Sequence, residues 1–407
     1  MKIAVIGGGA AGLVASIVAA RAGADVTIYE KMNKVGKKIL ATGNGRCNYT
    51  NMNMSLSRFH GKSISRAENV LEFFDLKKAL NFFEELGIYP FVDEVGKVYP
   101  YSLQASSVLD VLRYEANRLN VREITEFVVE ELRHNKDKFS IIGNGETYHA
   151  DRVILCTGGK SSPQLGSNGD GYRLAEKFGH KIIEPFPALV QLKLKGKFFK
   201  RISGIRFDGV AMGLTDKKII REEEGEILFT DYGISGPAIL QISRMLINEM
   251  NKGEKTYISV DMFPKINKND LYEILRNRFK KIGFKQLEES LIGFVNKKLI
   301  PVILDEAGFE NTYKLCGNLS KKEIYNLVEM LKEWRFEVTG YNSWDQSQVT
   351  AGGIDLCSVN QHTLESNKIK GLYFAGEILD VDGDCGGYNL QWAWSSGYTA
   401  GYYSSIK

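Results

Sequence analysis

The chain is poor in the features that cross-link a protein, thread it through a membrane or steer it onto a polyanion. Its five cysteines, Cys47, Cys156, Cys316, Cys357 and Cys385, are odd in number and scattered, with no CxxC pair. That spacing argues against a disulfide scaffold, a tetrahedral zinc site and a dithiol redox centre, and leaves reduced, mostly buried thiols. No apolar run approaches the ~20 residues that span a bilayer. The apolar start, MKIAVIGGGAAGL, is broken by three consecutive glycines and has no signal-peptide cleavage site. No membrane is expected, and the expected location is cytoplasmic. The net charge is only +4, without a Lys/Arg block. The densest basic stretch, KLKGKFFKR at 193–201, reads as a solvated strand or loop, so no nucleic acid is expected as a partner.

Catalytic and metal motifs are equally sparse. None of the five histidines, His60, His134, His149, His180 and His362, stands in an HxxxH or HExxH pattern or beside a Ser or Cys in a motif. A hydrolase triad and a metal site are therefore not expected. The acidic run DVDGD, 380–384, lacks the spacing and the closing glutamate of a calcium loop and reads as a solvated turn.

What is abundant is glycine, 41 of 407 residues, and several fall in clusters. The length calls for two or three domains. In KIAVIGGGAAGLVASIVAARAGADVTIYEK, Ile3–Ile6 suit a central parallel strand, Leu13–Arg21 a helix ended by Gly23, and Asp25–Tyr29 a second strand closing on Glu30. Between them Gly7, Gly9 and Gly12 give G-x-G-x-x-G. Gly7 permits the tight turn, Gly9 lets the backbone approach a pyrophosphate, and Gly12 allows close helix–strand packing. The helix N-terminus offers free N–H groups and partial positive charge to phosphate. Glu30 is placed to accept from ribose hydroxyls and would repel a 2′-phosphate, which leaves NAD or FAD.

A second device stands near the other end. In GLYFAGEILDVDGDCGGYNLQWAWSSGYTAGYY, a buried strand, Gly371–Ala375, runs into Gly376–Glu377. A glycine turn at Gly386–Gly387 then opens a helix from about Leu390 to Tyr402. Its N-terminus is suited to the pyrimidine edge of a flavin, where negative charge develops on reduction. Glu377 would lie near the ribityl or pyrophosphate portion.

The segments GGGAAGLVAS, YEKMNKVGKKILATGNGRCNYTN, ILFTDYGISGPAILQIS, QVTAGGI and FAGEILDVDGDCGGYNLQWAWSSGYTAG together resemble the BaiN/YhiN-like NAD(P)/FAD-dependent oxidoreductases, also described as aminoacetone-oxidase-type flavoproteins. The resemblance runs from residue 1 to about residue 401. It implies FAD, held non-covalently in a two-dinucleotide-binding fold. Gly7, Gly9, Ala10, Ala11, Gly12, Glu30 and Lys31 would hold the ADP half, and Gly376, Glu377, Gly387, Tyr388, Asn389 and Leu390 the flavin end. The glycine-rich segment from Thr157-Gly158-Gly159 to Asp170 would lie along the FAD.

The remaining candidates fill in between. ATGNGRCNYTN, 41–51, follows Glu30-Lys31 and Gly36 and reads as a clamp joining the two halves of the cofactor site. Thr42, Gly43, Asn44, Gly45, Arg46, Cys47 and Asn48 belong to it. Arg46, Cys47, Asn48 and Tyr388 are the flavin-side candidates for a catalytic role, with no catalytic residue fixed. Cys47, without a partner thiol or adjacent His, reads as a small packed residue rather than a nucleophile. Residues 125–150 alternate like a β-meander with a GNG turn, and Val128 or Val129 is a candidate for backbone contact with the adenine. SNGDGYRLAEKFGH reads as a helix capped by Asn168 or Asp170, and Asp384 is a further candidate beside the flavin. Thr350–Gly353 are expected near it too.

The expected fold is α/β. A Rossmann-like FAD domain, 1–187 and 335–407, carries an inserted antiparallel β-barrel-like substrate domain, 188–266, and a small helical insertion, 267–334. The expected activity is FAD-dependent hydride transfer between flavin N5 and a small organic substrate. Only one complete dinucleotide fingerprint is present, so NADH or NADPH is expected as a transient donor at most. Two alternatives remain at this point: a flavin-dependent RNA-modifying or nucleic-acid-binding protein, and a non-catalytic flavin sensor. Nothing in the sequence speaks to oligomeric state.

Overall fold

Strands that are apolar without alternation need cover on both faces. KIAVI (Lys2–Ile6), DVTIY (Asp25–Tyr29) and RVIL (Arg152–Leu155) have this character and lie together in one sheet. The computed structural model describes residues 1–216 and 218–406; Lys217 and Lys407, within the expected barrel and FAD segments, lie outside the described residues. Two compact units emerge, residues 1–187 with 344 onward, and residues 188–343.

The first unit is built on a five-stranded sheet in the order Leu372–Phe374, Arg152–Leu155, Lys2–Ile6, Asp25–Tyr29, Arg122–Ile124. Every pairing in it is parallel, with Ile3 opposite Arg152 and Lys2 opposite Asp25. The helix Ala10–Arg21 leaves the first strand through the glycine turn and is buried along most of its length. The 18-residue helix Tyr388–Ser405, longer at both ends than the sequence implies, packs beside it. A side chain on Gly397 would collide with the Ala11 backbone, and one on Gly401 with Ala15. Glycines four apart thus let the two helices run side by side in the same direction. The meander is present as Glu131–Asn135, Lys138–Gly143 and Glu146–Ala150, with Asn144 and Gly145 both left-handed in its second turn.

The second unit holds a closed six-stranded antiparallel barrel. Its strands, around the barrel, are Leu192–Leu194, Gly233–Ser235, Ile219–Phe229, Arg206–Thr215, Thr256–Asp261 and Trp334–Tyr341. A 15-residue helix, Pro237–Asn251, interrupts what the sequence presents as a run of strands. Proline at its first turn and apolar residues at helical spacing, Ile239, Ile242 and Leu246, account for it. The helices Lys268–Lys281, Ile300–Glu306 and Lys321–Lys332 share one apolar cluster with the barrel, centred on Phe229, Ile258 and Trp334. Among the described residues no helix is long and apolar enough to cross a membrane.

Candidate functional site

The site grows from the turn after the first strand. Gly7 has φ of 99°, and a side chain there would run into the Cys156 backbone. A Cβ on Gly12 would strike the Gly7 carbonyl, so the helix can start this close to the strand only without one. Gly9, by contrast, faces open space, with nothing within 4 Å of an ideal Cβ. The N–H groups of Ala10, Ala11 and Gly12 lie in the first turn, where no intrahelical acceptor exists. A rigid backbone cradle with unmet donors facing open space fits a pyrophosphate.

Glu30 ends the second strand and is only 9% exposed. One carboxylate oxygen accepts from Gly8 N at 2.8 Å and the other from Met32 N at 2.8 Å. The backbone therefore holds the carboxylate beside the cradle, and each oxygen keeps a lone pair for a further donor. Phe127 N donates to the Glu30 carbonyl, which brings half-exposed Val128 to the same corner. Lys31 is ion-paired with Asp170 at 3.2 Å and bonded to Asn168. Asp170 is the first helical residue and Gly169, left-handed, occupies the cap. The sequence reading of Asp170 or Asn168 as the cap is thus corrected: Asn168 Oδ1 accepts from Asp170 N at 3.3 Å, from just outside the helix.

Thr157, Gly158 and Gly159 follow the fourth sheet strand in the chain. The Thr157 backbone lies against Gly7, while its Oγ1 is buried without a hydrogen-bond partner against Gly171, in the first turn of the helix Asp170–Lys177. Gly159 leaves room for Thr350, whose Oγ1 accepts from Lys160 N at 2.8 Å and Ser161 N at 3.0 Å.

At the other end of the chain, Gly376 donates its N–H to Ser396 Oγ and accepts from Trp392 Nε1, pinning the strand end to the C-terminal helix. Glu377 is held by Lys38 Nζ at 2.7 Å and Thr350 N at 2.7 Å, while Lys38 also reaches the Ser161 carbonyl at 3.1 Å. Lys38 was not singled out in the sequence, where it is one cation in the run KVGKK. Its partner lies 339 residues away, so only the fold reveals it.

The turn before the C-terminal helix is not solvated, contrary to the sequence reading. Asp380, Asp382 and Asp384 are 2%, 1% and 4% exposed. They are buried because the strand Phe59–His60 pairs over this turn. Asp384 takes His60 Nε2 at 2.8 Å and Arg58 at 3.4 Å, and Asp380 takes Lys62 N at 2.8 Å. Asn389 is occupied by the same turn, bonding the Gly383 N–H and carbonyl, each at 2.8 Å. Gly387 caps the helix in a left-handed conformation against the Thr50 backbone. Tyr388 is buried edge-on to Phe59 with its hydroxyl on the Asn53 carbonyl, and burial raises its phenol pKa. Leu390 packs on the first unit's main apolar cluster.

The clamp loop divides into two kinds of residue. Gly43, Asn44 and Gly45 are consecutively left-handed, with φ of 56°, 54° and 81°. Gly36, also left-handed, is packed against Leu109, and Thr42 Oγ1 donates to the Ile39 carbonyl. Arg46 is exposed and lies over the Tyr99 ring at 5.3 Å. Cys47 is fully buried in the apolar cluster, and burial pushes its thiol up to about 12. Asn48 gives both amide hydrogens to backbone, at 2.8 Å to Thr50 O and 2.9 Å to Val98 O. The loop backbone and Arg46 thus face outward, while Cys47 and Asn48 hold it in place.

The sequence points to no partners for the histidines, yet His180 is flanked by Ser358 at 2.9 Å and Ser366 at 2.8 Å. Burial, with Lys368 nearby, lowers its pKa to about 4. Among the described residues no three His, Cys, Asp or Glu side chains gather into a metal-binding group.

A parallel sheet with a dinucleotide cradle at one helix start, a second capped helix start beside it and an inserted barrel define an FAD-dependent oxidoreductase. The match to the family described as HI0933-like protein Rossmann domain covers residues 1–403, and the chain belongs to that family. It is 40% identical over 402 residues to the 3-dehydro-bile acid delta(4,6)-reductase of Clostridium scindens, covering 98% of each chain. It is 32% identical over 401 residues to the ribosomal RNA dihydrouridine synthase of Haemophilus influenzae, covering 97% of this chain and 96% of the relative. Among solved structures, 3-ketosteroid delta1-dehydrogenase from Sterolibacterium denitrificans superposes with a TM-score of 0.51 at 12% identity, over 99% of both chains, a likeness of fold.

Proposed function

We propose that the protein reduces a carbon–carbon double bond conjugated to a carbonyl in a small, ring-bearing organic substrate. The observation that carries its cofactor is the pair of parallel helices, the first starting at the open glycine cradle and the second at the left-handed Gly387 cap. Because Gly397 lies beside Ala11, the start of the C-terminal helix projects about 12 Å beyond the start of the first, at 1.5 Å per residue. One extended dinucleotide suits both ends, with its phosphates at the cradle and its ring system at the second helix start.

Gly7, Gly9, Ala10, Ala11 and Gly12 would receive the pyrophosphate on backbone N–H groups, and Glu30 the ribose. Lys31 and Asp170 would close that corner, with Val128 toward the adenine. The backbone of Thr157, Gly158 and Gly159 would run alongside the cofactor. Glu377, fixed by Lys38 and Thr350, would take the ribityl side. Gly387, Tyr388, Asn389 and Leu390 would present N–H groups to the ring edge where charge accumulates. Gly36 and residues 42–48 would span the two halves.

Bound FAD would supply two-electron chemistry, the hydride equivalent taken up at the β-carbon of the conjugated system. The α-carbon takes a proton from solvent, and a nicotinamide, NADH or NADPH, is the reductant oxidised in the half-reaction that restores the enzyme. The name of the Clostridium relative, a reductase of 3-dehydro-bile acids, supports a cyclic enone as substrate. The test is anaerobic reduction by NADH and NADPH in parallel, followed by a panel of conjugated ketones. Reoxidation of the flavin, with a product that has gained two hydrogens, is expected; a flavin left reduced by every conjugated ketone contradicts it.

A second reading rests on the two ribosomal RNA dihydrouridine synthases, at 32% and 30% identity over nearly the whole chain. Saturating uracil is the same chemistry, since its ring double bond is conjugated to a carbonyl. Loss of dihydrouridine from the ribosomal RNA of a deletion strain would favour this reading, and an unchanged nucleoside profile would remove it.

A further inference from the structure

We propose that the hairpin Pro90–Val92/Lys97–Pro100 is the docking platform for the ring system of a cyclic, uncharged-core substrate whose carbonyl points to Arg46. This rests on the reduction of a conjugated ketone proposed above.

The hairpin's register places its aromatics on one face. Phe91 stands opposite Tyr99, and Tyr101 bonds back to Tyr89 two pairs further on, beyond Pro90 and Pro100. Residues directly opposite, and those two apart on one strand, share a face, so Tyr89, Phe91, Tyr99 and Tyr101 form a single aromatic surface. Tyr101 meets Tyr89 at 5.7 Å and Phe91 at 6.3 Å, both edge-on. Tyr89 and Tyr101 are 71% and 65% exposed, whereas Tyr99 is buried. Rings normally hidden are therefore held in fixed contact with one another in water.

The inner end of this surface joins the clamp loop. The Arg46 guanidinium lies over the Tyr99 ring, and Gly43 packs against the same ring. The hairpin's inner strand also pairs with Thr50–Asn51, whose side chains reach Gln391 and the Gly386 carbonyl at the start of the C-terminal helix. An apolar face thus leads from solvent toward the candidate cofactor site and ends at an exposed cation. Flat alicyclic or aromatic rings match the tyrosine and phenylalanine faces. A carbonyl oxygen at the inner end matches the guanidinium, which donates hydrogen bonds and favours charge developing on that oxygen.

The charge near the hairpin tip selects the class of occupant. Asp93 and Glu94 there offset the two cations Lys97 and Arg46, so the surface lacks the excess positive charge that holds a polyphosphate backbone. An uncharged steroid-like core needs no such excess, so a small cyclic ketone is favoured over single-stranded RNA.

The test is titration of the FAD-loaded protein with a 4-ene-3-ketosteroid, read as perturbation of the flavin absorbance, for wild type and Tyr89→Ser/Tyr101→Ser. The double variant is expected to bind about tenfold or more weakly with FAD content unchanged, since ring stacking and burial are lost together. Arg46→Gln is expected to weaken binding as well and to lower the rate of reduction at saturating steroid. Unchanged steroid affinity in both variants, with wild type reducing the steroid, overturns the docking platform and leaves the proposed reaction standing. A wild type that reduces no conjugated ketone overturns both. If the double variant loses retention of ribosomal RNA fragments but binds steroid normally, the platform belongs to RNA and the assignment is overturned.

Discussion

The two units bury different things. The barrel unit's core is almost wholly apolar, with Phe199, Phe229, Trp334 and Phe336 packed ring against ring at tilted or edge-on angles and few buried polar side chains among them. The dinucleotide unit buries Glu30, Asn48, Asp380, Asp382, Asp384, Gln391, Ser395, Ser396 and Thr399. Burying a polar group costs free energy unless it is bonded, so such groups persist where they fix a shape that an apolar core cannot. In the first unit that shape is a set of glycine turns and helix starts, the ones proposed above to hold one cofactor. In the second it is a packed barrel whose stability comes from area removed from water.

The sharpest way to break this contrast is to add a side chain where the first unit has none. Gly12→Val forces a collision with the Gly7 carbonyl. FAD affinity measured by ultrafiltration is expected to fall at least ~100-fold, close to 3 kcal/mol. Gly23→Ala is the backbone control in the same unit: its left-handed φ of 86° strains an alanine, and with no atom within 4 Å the effect is expected to stay at modest destabilisation.

In the barrel, Ile258→Ala removes a fully buried side chain. It is expected to cost about 2–5 kcal/mol of stability, read as a lower midpoint in urea, while the FAD-to-protein ratio of the folded fraction stays put. Lys38→Met tests the polar network directly. It leaves Glu377 without its cation, and FAD is expected to bind about tenfold more weakly, with a measurable shift in flavin reduction potential. Unchanged affinity and potential would reduce the ion pair to a packing contact.

Acid should act on the first unit through His180. Its pKa is lowered to about 4, so the unfolded chain takes up this proton at higher pH than the folded one. The histidine's contribution is complete above the ordinary imidazole range and is lost as pH falls from about 6.5 toward 4. His180→Asn should flatten that part of the pH–stability profile in thermal melts. The smallest effect on the cofactor is expected at Cys47→Ser, which buries a hydroxyl in place of a thiol held protonated at neutral pH. A loss of about 1–3 kcal/mol of stability is expected, with FAD retained and the pH dependence of reduction unaltered.

Legibility in the sequence followed the range of the interactions. The strand–glycine–helix–strand–Glu30 unit and the GNG turn are local, and local spacing carries them. The paired helices are legible only in part, because Gly397 and Gly401 matter through Ala11 and Ala15, nearly four hundred residues away. The polar network was invisible for the same reason. Lys38, His60 and Thr350 acquire roles only when folding brings Glu377 and Asp384 beside them. The DVDGD turn misled because its charge suggests solvent, while a two-residue strand covers it. In the barrel unit, helix Pro237–Asn251 escaped notice because short β-rich segments surround it.

Reduction of a conjugated double bond by the FAD-loaded protein is tested most directly by anaerobic single turnover. Enzyme reduced by NADH or NADPH and mixed with a 4-ene-3-ketosteroid should regain its oxidised flavin absorbance, yielding one saturated ketone per flavin. A flavin that stays reduced in the presence of every conjugated ketone, while still reoxidising in air, would contradict it.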